Sequence, residues 1–231
     1  MLTATIFTVL GILNVPLWLH LSTSSPTPPT PKGKRLRGDF TVYTDVSIRL
    51  LQSCLWLHAA AESLTILSSI GIAPLLMPQS LLLPDGHFAY VSPLRASAGL
   101  AVILGGILRW TCFREMGPQF TFHVTVLEEH KLITSGPYAY VRHPSYCGAL
   151  LMDFGLWPWL FLPGSWAIES RISGSLWFWF ALAPCLTLAV MSVPIIFRRC
   201  KAEDDILSKK FGNTWEKWAK DVPYRLIPGM Y

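Results

Sequence analysis

Apolar residues fall into five long runs separated by polar stretches: Met1 to Leu21, a run within Val46 to Met77, about Ser92 to Phe113, Ser145 to Leu162, and Gly174 to Phe197. A helix needs about 20 mostly apolar residues to cross a bilayer. The pattern predicts an all-α integral membrane protein with about five transmembrane helices. Between the first two runs lies a basic linker rich in Ser, Thr and Pro, residues 22–38. After the fifth comes a polar tail, Arg198 to Tyr231. The first run lacks a charged leading region and a small-x-small cleavage site, so a retained anchor is expected rather than a signal peptide.

Composition agrees: 52% of the 231 residues are hydrophobic and only 14% are charged, against about 25% charged in ordinary soluble domains. Charge placement adds an orientation. Lys32, Lys34, Arg35 and Arg37 make the linker basic, whereas the loop Pro78 to Val91 has neither Lys nor Arg. Arg114, Lys131 and Arg142 follow in the next loop, Arg171 alone in the one after, and eight basic residues in the tail. Alternate loops are basic, as five crossings with a cytoplasmic carboxyl terminus require. The five scattered cysteines form no CxxC or His/Cys spacing, so neither a disulfide framework nor a metal site is expected. No GxGxxG follows a strand pattern, which excludes a soluble Rossmann domain. Nothing points to nucleic acid.

Polar, structured residues collect in two places on the predicted cytoplasmic side: His123 to Tyr146, and Arg198 to Trp218. A helical hairpin of the last two spans would bring them together. In the first, Gly136-Pro137 breaks any helix, and Pro144 suits the first turn of the next span. Arg142 and His143 then stand at a helix amino terminus, where free amides favour anions. In the second, Arg199 and Glu203 are four apart and share a helix face. An interfacial anchor and a surface ion pair would explain each segment separately. Phe211, Trp215 and Trp218 recur at helical spacing, as in an amphipathic helix at the interface.

The run HKLITSGPYAYVRHPSYCG, followed one hairpin later by RxxxE and a downstream FG, resembles the isoprenylcysteine carboxyl methyltransferase family over about Phe120 to Pro223. Related phospholipid methyltransferases and some sterol reductases carry segments similar to RHPSY alone. The resemblance implies a membrane enzyme of the endoplasmic reticulum that uses S-adenosylmethionine, held in a cytoplasmic pocket between the loop before span four and the tail after span five. It divides the chain into an amino-terminal transmembrane region, residues 1–90, and a methyltransferase core, residues 91–231, with the motifs in 120–223. The positions implied for the cofactor are His123, His130, Lys131, Leu132, Ile133, Tyr138, His143, Pro144, Ser145, Tyr146 and Glu203. His123 departs from the Gln common in the family. Arg199 is implied to face the substrate and to act in catalysis. The partners implied are prenylated protein C-termini and the lipid bilayer.

Such chemistry needs no general base, because a carboxylate is already ionised near neutral pH. The site must orient and partly desolvate two reactants. An arginine can hold a carboxylate by its planar fork, and tyrosines can pack on an adenine or face a sulfonium. Two alternatives stay open at this point. One is methylation of a lipid amine, which would want a base such as Glu128, Glu129 or Asp204. The other is an inactive membrane scaffold.

Overall fold

The protein is seen in a computed structural model that describes residues 2–24, 41–70, 90–120 and 131–231. The described residues are helical apart from turns and short extended connections. In order they form α1 (Leu2–Thr23), α2 (Thr41–Ser69), α3 (Pro93–Met116), α4 (Pro144–Phe161), the single turn α5 (Trp166–Glu169), α6 (Leu176–Phe211) and α7 (Asn213–Asp221). Ser22 and Thr23, expected to open the linker, instead complete α1. Ser22 is fully buried there.

α1 to α4 make one packed bundle. Its core is aliphatic, with Ile12 and Val15 from α1, Leu55 and Ala59 from α2, Val102 from α3, and Leu156 and Trp159 from α4. The closest approach is between α3 and α4. A Cβ on Gly105 would sit 2.6 Å from the carbonyl oxygen of Gly148, and one on Gly155 would sit 2.6 Å from that of Ala98. These pairings show that the two helices run antiparallel along their length, with small residues letting the backbones meet, as membrane helices favour.

Among the described residues, four helical segments are long and apolar enough to cross a bilayer: Thr5–Thr23, Ile48–Ser69, Pro93–Gln119 and Leu176–Phe211. The chain is a multi-pass membrane protein. α4, expected as a further span, falls short of that standard. It has 18 residues, or about 27 Å of helix, and its apolarity is diluted by Asp153, Pro158, Trp157 and Trp159. Its polar groups are met within the protein: Asp153 accepts hydrogen bonds from Ser192 of α6 at 2.6 Å and from Trp157 at 3.0 Å. Lying flush against α3, it occupies the same slab as a helix that does qualify.

One buried ion pair fastens the end of the bundle opposite the polar tail. Arg95 and Glu62 are both fully buried. The guanidinium donates to Glu62 Oε2 at 2.7 Å and to the carbonyls of Trp159, Tyr90 and Gly164 at 2.9, 3.0 and 3.1 Å. With its donors engaged, it joins α2 to α3 and the α4–α5 turn, where an unpaired charge would be costly.

Candidate active site

The polar segments meet where α4 begins and α6 leaves the slab. A 3-10 turn, Gly136–Ala139, starts at Gly136 with a φ of +58°. That backbone favours glycine, and a Cβ there would also press on Glu115 at 3.1 Å. The turn drives Tyr138 into a small core with Cys112, Trp218 and Val222, against which Leu132 and Ile133 also pack. Burial pushes the Tyr138 hydroxyl well above the ordinary tyrosine range, with Cys112 and Glu203 adding to the effect. It therefore stays a neutral phenol.

His143 is the N-cap residue of α4, and buried Pro144 takes the first helical position, where its missing amide hydrogen costs nothing. One turn of α6 faces this corner. His143 Nε2 lies 3.0 Å from Asp204 Oδ1, and Nδ1 lies 3.4 Å from Glu203 Oε2. Carboxylates only accept, so both contacts are satisfied together when both ring nitrogens carry protons. Burial alone would lower the imidazole pKa, but the hydrogen bonds from Asp204 and Glu203 outweigh it and raise it.

Tyr146, one turn into α4, links the other two α6 residues. Its hydroxyl donates to Glu203 Oε1 and accepts from Arg199 Nε at 3.0 Å. The guanidinium carbon of Arg199 lies 5.7 Å from the tyrosine ring centre. Glu203 keeps 26% of its side chain exposed, against 3% for Asp204. Glu203 thus stays partly open, and Asp204 does not.

Asp204 serves as a hub. Arg142 donates to its Oδ2 at 2.9 Å and Arg225 at 2.7 Å. The tail lies across the turn through backbone bonds from Arg142 N to Tyr224 O and from His143 N to Arg225 O, both 2.9 Å. From the other side, buried Arg109 of α3 donates to the carbonyls of Ser22 at 3.1 Å and Ser145 at 3.0 Å. It ties the end of α1 to the start of α4.

Of the residues singled out in the sequence, Tyr138, His143, Pro144, Ser145, Tyr146, Arg199 and Glu203 gather at this corner. Leu132 and Ile133 back onto Tyr138, while Lys131 is exposed and its amide donates to Gln119. His123 and His130 lie outside the described residues, as do Glu128 and Glu129. Asp204, weighed only as a base, is buried and engaged by three basic side chains, which holds its carboxyl in the ionised, occupied form and makes it a poor proton acceptor. Arg109 and Arg225 were not anticipated. For Arg109 the signal was present: an arginine inside an apolar run points to a polar site in the bundle.

Residues 97–173 match the sequence model of the Isoprenylcysteine carboxyl methyltransferase (ICMT) family. The match spans most of α3, the RHP turn and α4, and stops short of Arg199 and Glu203. Among curated proteins, the chain is 33% identical over 124 residues to protein-S-isoprenylcysteine O-methyltransferase B of Arabidopsis thaliana, covering 53% of each chain. It is 30% identical over 123 residues to protein-S-isoprenylcysteine O-methyltransferase of Schizosaccharomyces pombe, covering 52% of this chain and 44% of that one. A Delta(14)-sterol reductase of Mus musculus is 29% identical over 101 residues, or 44% of this chain and 20% of the reductase. The matched regions thus span about half the length of the ICMT-family relatives and a fifth of the reductase. No solved structure matches.

Proposed function

We propose that the protein is a protein-S-isoprenylcysteine O-methyltransferase, which transfers a methyl group from S-adenosylmethionine to the carboxylate of a C-terminal prenylcysteine. One observation carries this reading: the Tyr146 hydroxyl bridges Arg199 and Glu203. The residue assigned to the acceptor and the residue assigned to the cofactor are therefore neighbours on one face of α6, held by one tyrosine of the RHPSY segment.

The residues present suit the cofactor. Glu203 has an open face for an ammonium group, and Tyr138 and Tyr146 offer rings. When bound, S-adenosylmethionine supplies an electrophilic methyl on its sulfonium. The chain's task is to hold the two reactants in line and keep water out, which accounts for much of the rate in such reactions. Arg199 orients the acceptor carboxylate through its fork. Because Arg199 already gives its Nε to Tyr146, it positions the carboxylate without wrapping it, and the nucleophile keeps its reactivity. A prenyl tail partitions into the bilayer, so the acceptor arrives from lipid and the cofactor from the cytosol. The membrane of the endoplasmic reticulum, with a cytoplasmic carboxyl terminus, is the setting this reading implies.

The reductase match raises a second reading, hydride transfer to a sterol, and one assay separates the two. Purified protein is given labelled S-adenosylmethionine with farnesyl-cysteine, a phospholipid amine, or no acceptor, and separately a nicotinamide with a sterol. Methyl esters of farnesyl-cysteine are expected. Glu203→Ala should weaken S-adenosylmethionine binding by about ten-fold or more, the worth of a charge-assisted hydrogen bond. Arg199→Ala should abolish transfer and leave cofactor affinity within about two-fold. Sterol reduction without methyl transfer would reject the proposal.

A further inference from the structure

Six buried side-chain nitrogen or oxygen atoms among the described residues have no hydrogen-bond partner, and three of them belong to one corner: Arg142 Nε, Trp215 Nε1 and Trp218 Nε1. The Arg142 guanidinium carbon lies 5.8 Å from the Trp215 ring centre. Trp215 packs on the cluster that contains Trp218 and Tyr138. Trp218 is 7% exposed and the Arg142 side chain 10%. Roughly nine in ten buried polar groups in native proteins are paired, so three orphans in one neighbourhood call for a cause.

The chemistry of the three atoms narrows that cause. An indole N–H and a guanidinium N–H can only donate, so what completes them is an acceptor. The surrounding charge narrows it further. Arg142, Arg199, Arg225 and protonated His143 are cations, and Glu203 and Asp204 are the carboxylates they meet. The corner is net positive and favours an anion. The two terminal nitrogens of Arg142 each donate, to Asp204 Oδ2 and to Pro223 O at 2.9 Å, which fixes the guanidinium, while the N–H of Nε has no partner.

We propose that Arg142 Nε and the indole N–H groups of Trp215 and Trp218 form a donor wall that receives a ligand carboxylate. The inference rests on the methyltransferase reading, in which two molecules carry that group: the amino-acid end of S-adenosylmethionine and the prenylcysteine acceptor. The wall makes α7 part of the binding site, a role beyond that of an amphipathic helix at the interface. It also gives the Trp215 and Trp218 rings, three apart on α7, a polar duty as well as an apolar one.

The test uses the full chain in nanodiscs, with Trp215→Phe and Trp218→Phe, which keep a ring and delete the donor. Affinities are measured for S-adenosylmethionine and for its decarboxylated analogue, together with KM for farnesyl-cysteine. Loss of about ten-fold or more in affinity for S-adenosylmethionine, with the decarboxylated analogue bound as by the parent protein, assigns the wall to the cofactor. A comparable rise in KM for farnesyl-cysteine with unchanged cofactor affinity assigns it to the acceptor. No change in any of the three, or equal losses for both cofactor forms, overturns the wall. If Trp218→Phe does not fold, the half-buried Trp215 position carries the same readouts. Failure of the parent protein itself to bind S-adenosylmethionine or farnesyl-cysteine would reject the underlying reading as well, and is read before either variant.

Discussion

His143 holds the most demanding position of any single residue, because each ring nitrogen faces a carboxylate of α6. The contacts are best satisfied by the imidazolium, and its pKa is raised accordingly. A group whose folded pKa lies above its unfolded value contributes stability fully below the unfolded pKa, about 6.5, and loses it as pH rises through the folded value. Melting temperature in detergent should therefore fall as pH rises above about 6.5. His143→Gln should be less stable at pH 6 and should show a flatter alkaline limb. A wild-type alkaline limb that His143→Gln retains unchanged would detach His143 from it. That Arg199 and Glu203 lie side by side was legible in the sequence, because RxxxE sets two side chains on one helical face. The division of labour with Asp204 was not. Adjacent carboxylates look alike in sequence, and only burial and the arrival of Arg225 from the tail tell them apart.

Among the elements, the α3–α4 pair depends most on residues that are absent of side chain. Gly105→Ala would place a methyl 2.6 Å from the Gly148 carbonyl oxygen, whereas nothing lies within 4 Å of a Cβ built on Gly11. Overpacking of this kind costs about 1–3 kcal/mol. Thermal unfolding in detergent should show a clear loss for Gly105→Ala and almost none for Gly11→Ala. α4 also shows where hydropathy reading reaches its limit. Its start was legible from Pro144, but its length and polarity put it below the standard of a lone span. It is acceptable in the slab because Trp157, one turn away, and Ser192 of α6 satisfy Asp153, and the bond from Ser192 is a long-range fact that no local window contains. α6 departs in the opposite sense. At 36 residues it is about 54 Å long, well beyond the roughly 30 Å hydrocarbon core. Its last turns are thus delivered outside the bilayer as a rigid continuation of the span.

For the whole molecule, the alternation of basic and neutral loops leads us to propose a cytoplasmic side for the RHP turn, the end of α6 and α7. In a cysteine-free background, a cysteine replacing Asn213 should react with an impermeant thiol reagent only from the cytosolic face of sealed vesicles. One replacing Gly174, just before α6, should react only from the other face. Labelling of both from the same side would remove α6 as a crossing. The sequence made the class of molecule readable, and the meeting of the RHPSY segment with Arg199 and Glu203, since hydropathy and short motifs are local quantities. The hub at Asp204, the tail strap of Tyr224 and Arg225, and the anchoring of Ser22 by Arg109 join residues far apart in the chain, and they became visible only in three dimensions.

The cap of α4 has a consequence for how this molecule is assembled. A helix amino terminus attracts negative charge, yet α4 begins with a residue that carries positive charge when its contacts are met. The missing anions come from Glu203 and Asp204, which belong to another helix. The His143 ring meets its carboxylates only when α6 has docked, so the mouth of α4 and the end of α6 are shaped together, and a chain interrupted ahead of Glu203 would leave that ring without either partner.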